Sequence, residues 1–307
     1  MKLRGRNIAV TGATGFLGQY IVRDLLQRDA QVTAVVRNPD RAPSLKREGV
    51  EFRRADLTQR EQLTAGFRGA DAVVSSAGFI TLGKASPDDF IKTNVEGTKN
   101  VLEAARDAGV KRFIHISSTT VYRQQPRHRS IHEDDPLRSH DDKLTRRSAY
   151  PISKALAEEY CEEFCSENDM ELTILRPPGC FGAHDPTLTT AFKRVMHLPI
   201  APFPFGMRAS IVYGGDVATA VGLSLEKPES AGRSYNVSGN DISFWEFGKA
   251  WRKAGGKYPY LLVPFPLPLV HRFDTRRAHE ELGWQPRCTV EALTETLALE
   301  ANKNEEQ

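Results

Sequence analysis

A glycine-spaced turn near the N-terminus most strongly constrains how this 307-residue chain can fold. Residues 10–18, VTGATGFLG, follow a short apolar run and precede a stretch with helical periodicity. Gly12 permits a tight turn, Gly15 leaves room for a pyrophosphate, and Gly18 lets the helix pack against the sheet. The start of such a helix offers free N–H groups and a positive dipole to phosphates. We therefore predict a dinucleotide site formed by Gly12, Ala13, Thr14, Gly15, Phe16, Leu17 and Gly18.

Strand-like and helix-like runs alternate through the first half of the chain. Apolar runs predict strands at residues 7–11, 31–36, 50–54, 71–75, 112–117 and 172–175. This alternation predicts an α/β fold, with a Rossmann-type doubly wound parallel sheet covered by helices on both faces. Prolines become frequent beyond residue 176 and the elements shorten. We predict a dinucleotide-binding domain over residues 1–175, to which segments near 208–240 return, and a smaller substrate-binding lobe mainly over residues 176–307.

The end of the second predicted strand indicates which dinucleotide binds. An acidic residue there holds the ribose hydroxyl of NAD, whereas an arginine suits the additional phosphate of NADP. This chain carries Arg37 directly after Val36, with Arg41 as a second candidate and no acid at the strand end. A guanidinium can pair with phosphate at two points and stack on adenine. We therefore favour NADP(H) as the cofactor, with NAD(H) as the alternative.

A tyrosine and a lysine four residues apart open the helix predicted after the fifth strand. Tyr150 and Lys154 lie on one face of that helix. A tyrosine serves as general acid or base only when its pKa, about 10 when free, is lowered. An ammonium group and the oxidised nicotinamide would lower it, and Lys154 is placed to supply the ammonium. Hydroxyl-bearing residues 117–120 follow the fifth strand, at the edge where parallel sheets bind their ligands.

These motifs together resemble the extended short-chain dehydrogenase/reductase family, also called the NAD-dependent epimerase/dehydratase family. The similarity extends over nearly the whole chain. Besides the glycine turn, it is carried by residues 55–57 (ADL), 76–78 (SAG), 94–98 (NVEGT), 117–122 (SSTTVY), 150–154 (YPISK), 176–179 (RPPG), 216–218 (DVA) and 281–286 (ELGWQP).

The resemblance implies roles for individual residues. Ser118 would hydrogen-bond the reacting oxygen, Tyr150 would transfer the proton, and Lys154 would bind the nicotinamide ribose and tune Tyr150. Further contacts with the cofactor are implied for Asp56 and Leu57 at the adenine, Ala77 and Gly78 at its middle, and residues 176–179, including Pro177, at the nicotinamide. Asn94 would be a structural or relay residue. The helices predicted over residues 87–108 and 149–166 resemble those of a homodimer interface in this family.

Two departures from the family pattern bear on the reaction. The sugar-nucleotide dehydratases of the family carry an acidic pair after the catalytic threonine, where this chain has Thr119 and Thr120, which argues against dehydration. In sugar-nucleotide epimerases an arginine stands one residue nearer Asp216 than Arg208 does here. The segment 208–216 therefore resembles more closely the dihydroflavonol-reductase and hydroxysteroid-dehydrogenase branch.

Composition excludes several other classes of protein. Lys and Arg number 42 and Asp and Glu number 39, so the net charge of +3 argues against a nucleic-acid or polybasic membrane binder. Residues 260–270 are apolar but short and proline-rich, so we predict a loop lining a pocket or an interface, and no stable membrane insertion. No C-x-x-C pair or His/Cys cluster occurs, so no metal site is predicted. Reduced thiols in a cytoplasmic protein are predicted for Cys161, Cys165, Cys180 and Cys288.

A charged segment over residues 123–147 directly precedes Tyr150 and is predicted to rim the substrate entrance. An anionic group of the substrate would be recognised by Arg127, Arg129, Arg146 or Arg147, and a solvated loop of mixed charge is the alternative. The apolar runs 199–205 and 260–268 would supply a pocket wall, with ordinary packing of the lobe as the alternative.

The sequence thus predicts an NADP(H)-dependent oxidoreductase that transfers hydride between nicotinamide and the carbon of a ketone or secondary alcohol. The main rival is an NAD-dependent sugar-nucleotide epimerase, which would oxidise and then reduce its substrate with retained NAD. A cofactor-sensing binding protein without catalysis is a second rival, against which the intact Ser118, Tyr150 and Lys154 argue. A small molecule is the predicted substrate in each enzymatic case.

Overall fold

A computed structural model describes residues 2–80, 85–123, 129–145, 147–239, 241–267, 270–287 and 289–305. The strands of this part of the chain are β1 Asn7–Thr11, β2 Gln31–Val36, β3 Glu51–Arg54, β4 Ala72–Ser75, β5 Arg112–Ile116, β6 Ser130–Ile131, β7 Glu171–Arg176, β8 Gly179–Phe181, β9 Ile200–Phe205, β10 Arg208–Tyr213, β11 Arg233–Asn236, β12 Asp241–Ser243, β13 Leu261–Pro266 and β14 Val270–Phe273.

Helices of ordinary α type alternate with these strands. They are α1 Phe16–Gln27, α2 Pro43–Arg47, α3 Arg60–Phe67, α4 Pro87–Phe90, α5 Gly97–Asp107, α6 Ala149–Glu167, α7 Leu188–Met196, α8 Gly214–Glu226, α9 Phe244–Lys253 and α10 Thr289–Glu305. Short 3-10 turns occur at Pro39–Arg41, Thr119–Val121 and Pro228–Ser230, and π-helical segments at Ile91–Glu96 and Ala278–Leu282. Across the described residues, no helix combines the length and the apolar character needed to cross a membrane.

The predicted doubly wound sheet is confirmed. Seven strands lie in the order β11-β7-β5-β4-β1-β2-β3, and every neighbouring pair is parallel. The strand order reverses direction beside β1, which places the carboxyl ends of β1 and β4 next to a crevice. Ligands of open α/β sheets bind in such a crevice.

Helices cover both faces of this sheet because its strands are apolar on both sides. Ile8 and Val10 face a core shared with α1 and α8. Ala9, Val73 and Phe113 face the opposite core, which α3, α5 and α6 complete. Alternate residues of one strand therefore anchor different helix layers, as the period of two along a strand requires.

The smaller lobe contains a second sheet and a two-stranded ribbon. The second sheet has the order β12-β10-β14-β6, with β8 pairing beside β10. The ribbon pairs β9 with β13 in parallel, so the prediction of a loop over residues 260–270 is wrong for residues 261–266. Pro264 and Pro266 are tolerated because β13 lies at the edge of its sheet, where a missing N–H costs no ladder bond.

The long helix predicted over residues 87–108 is interrupted in its middle. A reciprocal capping box between Ser86 and Asp89 begins α4, with Asp89 N donating to Ser86 Oγ at 3.2 Å. The chain then forms the π-helical segment Ile91–Glu96 before it continues as α5. Such segments are frequent at functional sites, and this one carries Asn94 on a buried face.

Candidate active site

The glycine turn after β1 is packed so tightly that side chains are excluded from it. Gly12 has a φ of +69°, and a Cβ atom there would lie 2.7 Å from the backbone nitrogen of Ala77. A Cβ atom on Gly18 would lie 2.1 Å from the carbonyl oxygen of Gly12. The two glycines therefore let the turn contact both the segment after β4 and the first turn of α1.

Helix α1 begins directly at this turn, with Gly15 as its N-cap. Among the described residues, no side chain caps this end, and the first turn of α1 contains no acidic residue. The N–H groups of the first turn are thus left for an anion, and the helix dipole favours one there.

A cavity of about 700 Å³ opens at this end of the sheet. It brings together several of the predicted cofactor residues, namely Gly12, Thr14, Gly15, Arg37, Asp56, Leu57, Ala77 and Gly78. The side chains of Ala13 and Leu17 instead pack into the core, and Phe16 packs edge to face on Tyr20 with ring centroids 5.6 Å apart. Gly18, Ser118, Tyr150, Lys154 and Pro177 do not line this cavity either.

The chemistry of the cavity suits a dinucleotide. Ser76 is one of the lining residues, and the oxygen of its hydroxyl is buried and has no hydrogen-bond partner among the described residues. A buried polar group of this kind calls for a partner that the protein itself does not supply. Together with the glycine cradle and the uncapped start of α1, it makes the site fit a cofactor that carries phosphate and ribose groups.

Two cationic groups lie at the side of the cavity next to β2. Arg37 directly follows β2 and Arg41 ends the 3-10 turn after it, and both are exposed residues that line the cavity. Asp56, which follows the neighbouring strand β3 and also lines the cavity, accepts bonds from Thr58 N at 2.9 Å and from Thr58 Oγ1 at 2.8 Å, which hold its pKa below the usual range. This carboxylate is therefore ionised and fixed in position.

The predicted catalytic hydroxyls lie together at the carboxyl end of β5. The side chain of Ser118 caps the following 3-10 turn by accepting from Thr120 N at 3.2 Å. Ser118 lies near enough to the hydroxyl of Tyr150 to influence its ionisation. Burial raises the pKa of Tyr150 to about 12, and the neighbouring side chain of Ser118 opposes that rise.

Lys154 is fully buried behind this pair. Its ammonium donates to the carbonyl oxygen of Ile116 at 2.7 Å, and burial lowers its pKa to about 8. Within the described part of the chain, Ser118 and Cys180 shift the pKa of Tyr150, and Lys154 does not. The tuning of Tyr150 by Lys154 therefore stays a prediction for the cofactor-bound protein.

Asn94 ties the segment after β4 to the helix that carries Tyr150. Its side-chain oxygen accepts from Phe79 N at 2.7 Å. Its amide donates to Phe79 O at 3.1 Å and to Ser153 Oγ at 3.0 Å. These contacts make Asn94 a structural residue of the site, held in place by the π-helical segment.

Sequence reasoning missed a buried ion pair beneath the site. Arg176 was expected near the nicotinamide, but its guanidinium bonds Glu158 of α6, with Nη2 and Oε2 2.6 Å apart. Both side chains are almost completely buried. Glu158 follows Lys154 by one helical turn, and an acid on a buried helix face requires a partner, which is the signal that could have found the pair. Pro177, the next residue, accepts from Thr119 N at 3.0 Å.

The charged segment before Tyr150 is described only in part. Arg127 and Arg146 lie outside the described residues. Arg129 pairs with Asp135 at 2.6 Å, and Arg147 is exposed.

Of the four cysteines, Cys288 lies outside the described residues, whereas Cys161, Cys165 and Cys180 are free thiols. No cluster of three or more His, Cys, Asp or Glu suited to a metal occurs among the residues that the structure describes.

The fold and the cavity define a Rossmann-type protein with a dinucleotide site. The model of the NAD dependent epimerase/dehydratase family matches residues 8–238, and the chain belongs to this family of extended short-chain dehydrogenase/reductase enzymes. The family comprises NAD(P)-dependent oxidoreductases, epimerases and dehydratases.

Proteins with curated names and solved structures resemble most of the chain. Human 3 beta-hydroxysteroid dehydrogenase type 7 is 29% identical, over 85% of this chain and 73% of the human protein. Dihydroflavonol 4-reductase of Hordeum vulgare is 29% identical, over 77% of this chain and 71% of that protein. The crystal structure of UDP-glucose-4-epimerase from Stenotrophomonas maltophila, with bound NAD and formylated UDP-arabinopyranose, superposes with a TM-score of 0.81 at 21% identity, covering 98% of this chain and 100% of that one.

Proposed function

We propose that this protein is an NADP(H)-dependent oxidoreductase that interconverts a ketone and a secondary alcohol. The single observation that carries the proposal is the convergence of Ser118, Tyr150 and Lys154 on the carboxyl end of β5, where Lys154 donates to the carbonyl oxygen of Ile116 at 2.7 Å. A proton donor and an orienting hydroxyl at this edge are what a carbonyl oxygen requires when hydride reaches its carbon. Two relatives named as a dehydrogenase and a reductase support the same reaction type.

The residues of the chain would divide the chemistry among them. A bound nicotinamide supplies the hydride, which forms a C–H bond at the carbonyl carbon. Tyr150 donates its phenolic proton to the carbonyl oxygen, and Ser118 holds that oxygen in line. Lys154 binds the cofactor ribose and stabilises the resulting phenolate, for which its positive charge is required. In the opposite direction, Tyr150 accepts the alcohol proton as hydride leaves the carbon.

The preference for NADP(H) rests on Arg37 and Arg41 at the rim of the cavity. Both lie in the segment that follows β2, where a ribose phosphate of the cofactor would lie, and the strand end has no acid to hold a free ribose hydroxyl. A dissociable NADP(H) suits an enzyme that reduces a separate substrate in each turnover. NAD(H) remains the alternative cofactor.

The epimerase rival differs at the position that the sequence comparison singled out. Ala209 stands where an arginine is usual in sugar-nucleotide epimerases, and it lines an apolar cavity. Neutral alanine cannot pair with a diphosphate. This observation supports the reductase over the epimerase. The presence of Ser118, Tyr150 and Lys154 together at the end of β5 supports an enzyme over a cofactor-sensing binding protein.

The division of labour between the two parts of the chain belongs to the same proposal. Residues 1–175, with α8 and β11 returning to the large sheet, would bind the cofactor, and the second sheet and its helices would bind substrate. A cytoplasmic homodimer completes the proposal. Lys99 of α5 pairs with Glu96 of the preceding π-helical segment at 3.1 Å, so a dimer formed on this surface would include polar contacts. Light scattering on the purified protein measures the oligomeric state.

The reaction is tested with purified protein, NADPH or NADH, and a panel of ketones. Absorbance of the reduced nicotinamide reports net oxidation, and NADPH deuterated at C4 reports whether hydride reaches the substrate carbon. Stoichiometric loss of NADPH with deuterium in the alcohol is the expected result. Isomerised sugar nucleotide with no net change in cofactor, and with NAD retained through purification, would instead identify the epimerase.

A further inference from the structure

A second, smaller cavity of about 220 Å³ lies in the substrate lobe, between helices α7 and α9 and strands β10 and β12. Its walls are apolar and include Leu188, Ala191, Phe192, Ala209, Ile211 and Phe244. The hydroxyl of Ser243, its single polar side chain among the described lining residues, already accepts from Glu246 N at 3.1 Å as the cap of α9. The cavity therefore offers hydrocarbon contacts and no free polar group.

This cavity adjoins the strand that passes Tyr150. A Cβ atom on Gly179, the first residue of β8, would contact Leu188 at 3.8 Å and Ile211 at 3.9 Å in the cavity wall. The next residue, Cys180, lies close enough to Tyr150 to influence its ionisation. Because neighbouring residues of a strand face opposite sides, a substrate whose carbonyl lies at Tyr150 would pass around β8 to place its far end in the cavity.

The charges around the cavity argue against a phosphorylated substrate. Among the described residues, no lysine, arginine or histidine lines it. Arg208 precedes Ala209 on β10, but its guanidinium lies 3.3 Å from Glu246 and 3.6 Å from Asp241. It also donates to the carbonyl oxygen of Asp241 at 2.9 Å. Placing a diphosphate in such surroundings would leave its charges unpaired, which is costly.

The apolar surface continues outward from the cavity. Phe203 of the ribbon packs edge to face on Phe244 and Trp245, with ring centroids 5.8 and 5.5 Å apart. Beyond it, Phe205 is 67% exposed and Tyr260 is 97% exposed. An apolar cavity joined to an exposed apolar surface is typical of a region that binds an apolar ligand.

We propose that this cavity binds the hydrocarbon part of the substrate, so that the enzyme acts on a lipophilic ketone or secondary alcohol that carries no phosphate. This inference rests on the proposed oxidoreductase function, because only that function makes the bound ligand a substrate. The binding of hydrocarbon can be measured without any reaction.

Binding is measured first, in the absence of cofactor. The neutral fluorescent probe 1,6-diphenylhexatriene is bound to the full chain and displaced by methyl ketones of increasing length, from 2-heptanone to 2-undecanone. We expect one probe per chain and an affinity that rises about fourfold for each added methylene. Affinity that does not change with chain length would overturn the inference.

Variants that place a charged side chain at the cavity test whether the ligand binds there. Ala191→Arg, at the exposed rim on α7, should weaken 2-undecanone binding at least tenfold, because the long side chain would lie across the mouth of the cavity with its guanidinium in solvent. Ala209→Arg gives an independent second variant deeper in the wall. Ala65→Arg, on the exposed surface of α3, is the matched control and should change nothing. Loss of binding in Phe265→Ser with full binding in both cavity variants would place the ligand on the ribbon and refute the inference.

Turnover is measured second, with NADPH and the same ketones. Both proposals are supported if KM falls as the ketone lengthens in the parent protein and if this dependence on chain length is lost in Ala191→Arg. Chain-length-dependent binding with no NADPH oxidation and no deuterium transfer would refute the oxidoreductase and leave the apolar site standing. Turnover with a KM that is independent of chain length would refute the apolar site alone.

Discussion

Arg176 holds Glu158 in a buried ion pair that joins the end of β7 to the middle of α6. The Nε atom of Arg176 lies 2.9 Å and the Nη2 atom 2.6 Å from Oε2 of Glu158. The remaining Nη1 donates to Tyr122 Oη at 3.0 Å and to Glu133 O at 2.8 Å. Because Lys154 lies one turn before Glu158, this pair fixes the helix that carries the predicted catalytic residues.

Removal of one partner of this pair should destabilise the protein strongly. In Glu158→Leu the guanidinium of Arg176 stays buried without its counter-ion, and we expect the free energy of unfolding to fall by about 3–5 kcal/mol. Urea denaturation measures the loss. Glu51→Ala, which removes an exposed partner of Arg53, should cost less than about 1 kcal/mol. Combining Glu158→Leu with Arg176→Met should recover part of the loss, and a double variant less stable than the single one would contradict this account.

Loss of the Tyr150 hydroxyl should abolish proton transfer and spare cofactor binding. We expect Tyr150→Phe to lower kcat by about 10²- to 10⁴-fold, the usual contribution of a general acid or base. Stopped-flow turnover and NADPH titration separate the two effects. Tyr160→Phe removes a hydroxyl on the same helix that bonds Glu103 at 2.8 Å, and it should retain activity. Unchanged turnover in Tyr150→Phe would exclude the proposed mechanism.

Reversal of charge at the end of β2 should change the choice of cofactor. Arg37→Asp replaces a donor to the ribose phosphate by a repelling carboxylate, so the affinity for NADPH should fall about 10- to 100-fold and that for NADH much less. Calorimetric titration of both cofactors measures the ratio. Arg4→Asp is the control, because it makes the same charge change before β1, at the amino ends of the strands and away from the cavity. Equal affinity of the parent protein for the two cofactors would refute the NADP(H) preference.

Substitution of two glycines that have similar backbone angles should distinguish the cost of backbone strain from the cost of steric exclusion. Gly12 and Gly49 have φ values of +69° and +82°, but a Cβ atom would contact Ala77 only at Gly12 and meets nothing within 4 Å at Gly49. Gly49→Ala should therefore cost about 1–2 kcal/mol through strain alone. Gly12→Ala should cost more and also weaken NADPH binding, because Ala77 must move. Thermal unfolding and titration of both variants check this, and equal effects would contradict it.

Burial of Lys154 should make stability depend on pH in a definite direction. The pKa of this lysine is about 8 in the folded protein, below its ordinary value of 10.5. Between these values the unfolded chain binds a proton that the folded chain has released, so the contribution of Lys154 to stability rises with pH and is lost below about 8. The pKa of Tyr150, about 12, affects stability only above pH 10.

Comparison of two lysine variants isolates the contribution of Lys154 to the pH dependence of stability. The free energy of unfolding of the parent relative to Lys154→Met should increase between pH 8 and about 9.5. Lys111→Met, at an exposed lysine, gives the baseline. A difference that stays constant over this range would show that Lys154 is not desolvated in the folded protein.

The parts of the fold that follow from local sequence patterns were predictable from the sequence. Apolar strands followed by amphipathic helices identified the parallel sheet, and the spacing of Gly12 and Gly18 identified the turn. The partner of Glu158 was not predictable in the same way, because Arg176 lies 18 residues away and meets it only through helix packing. The β13 strand was missed because proline usually excludes a residue from a sheet, and only its edge position permits it.

The second sheet is assembled from segments that the chain supplies out of order. Its β6 edge, Ser130–Ile131, precedes the helix of Tyr150, whereas its partner β14, Val270–Phe273, comes near the end. A natural recombination event with a single crossover after residue 175 would pair the β6 of one parent with the β14 of another. Exchange of the complete second sheet between relatives therefore requires at least two crossovers, and if this lobe binds substrate as proposed, new specificities should arise more readily by substitution within the lobe than by its wholesale replacement.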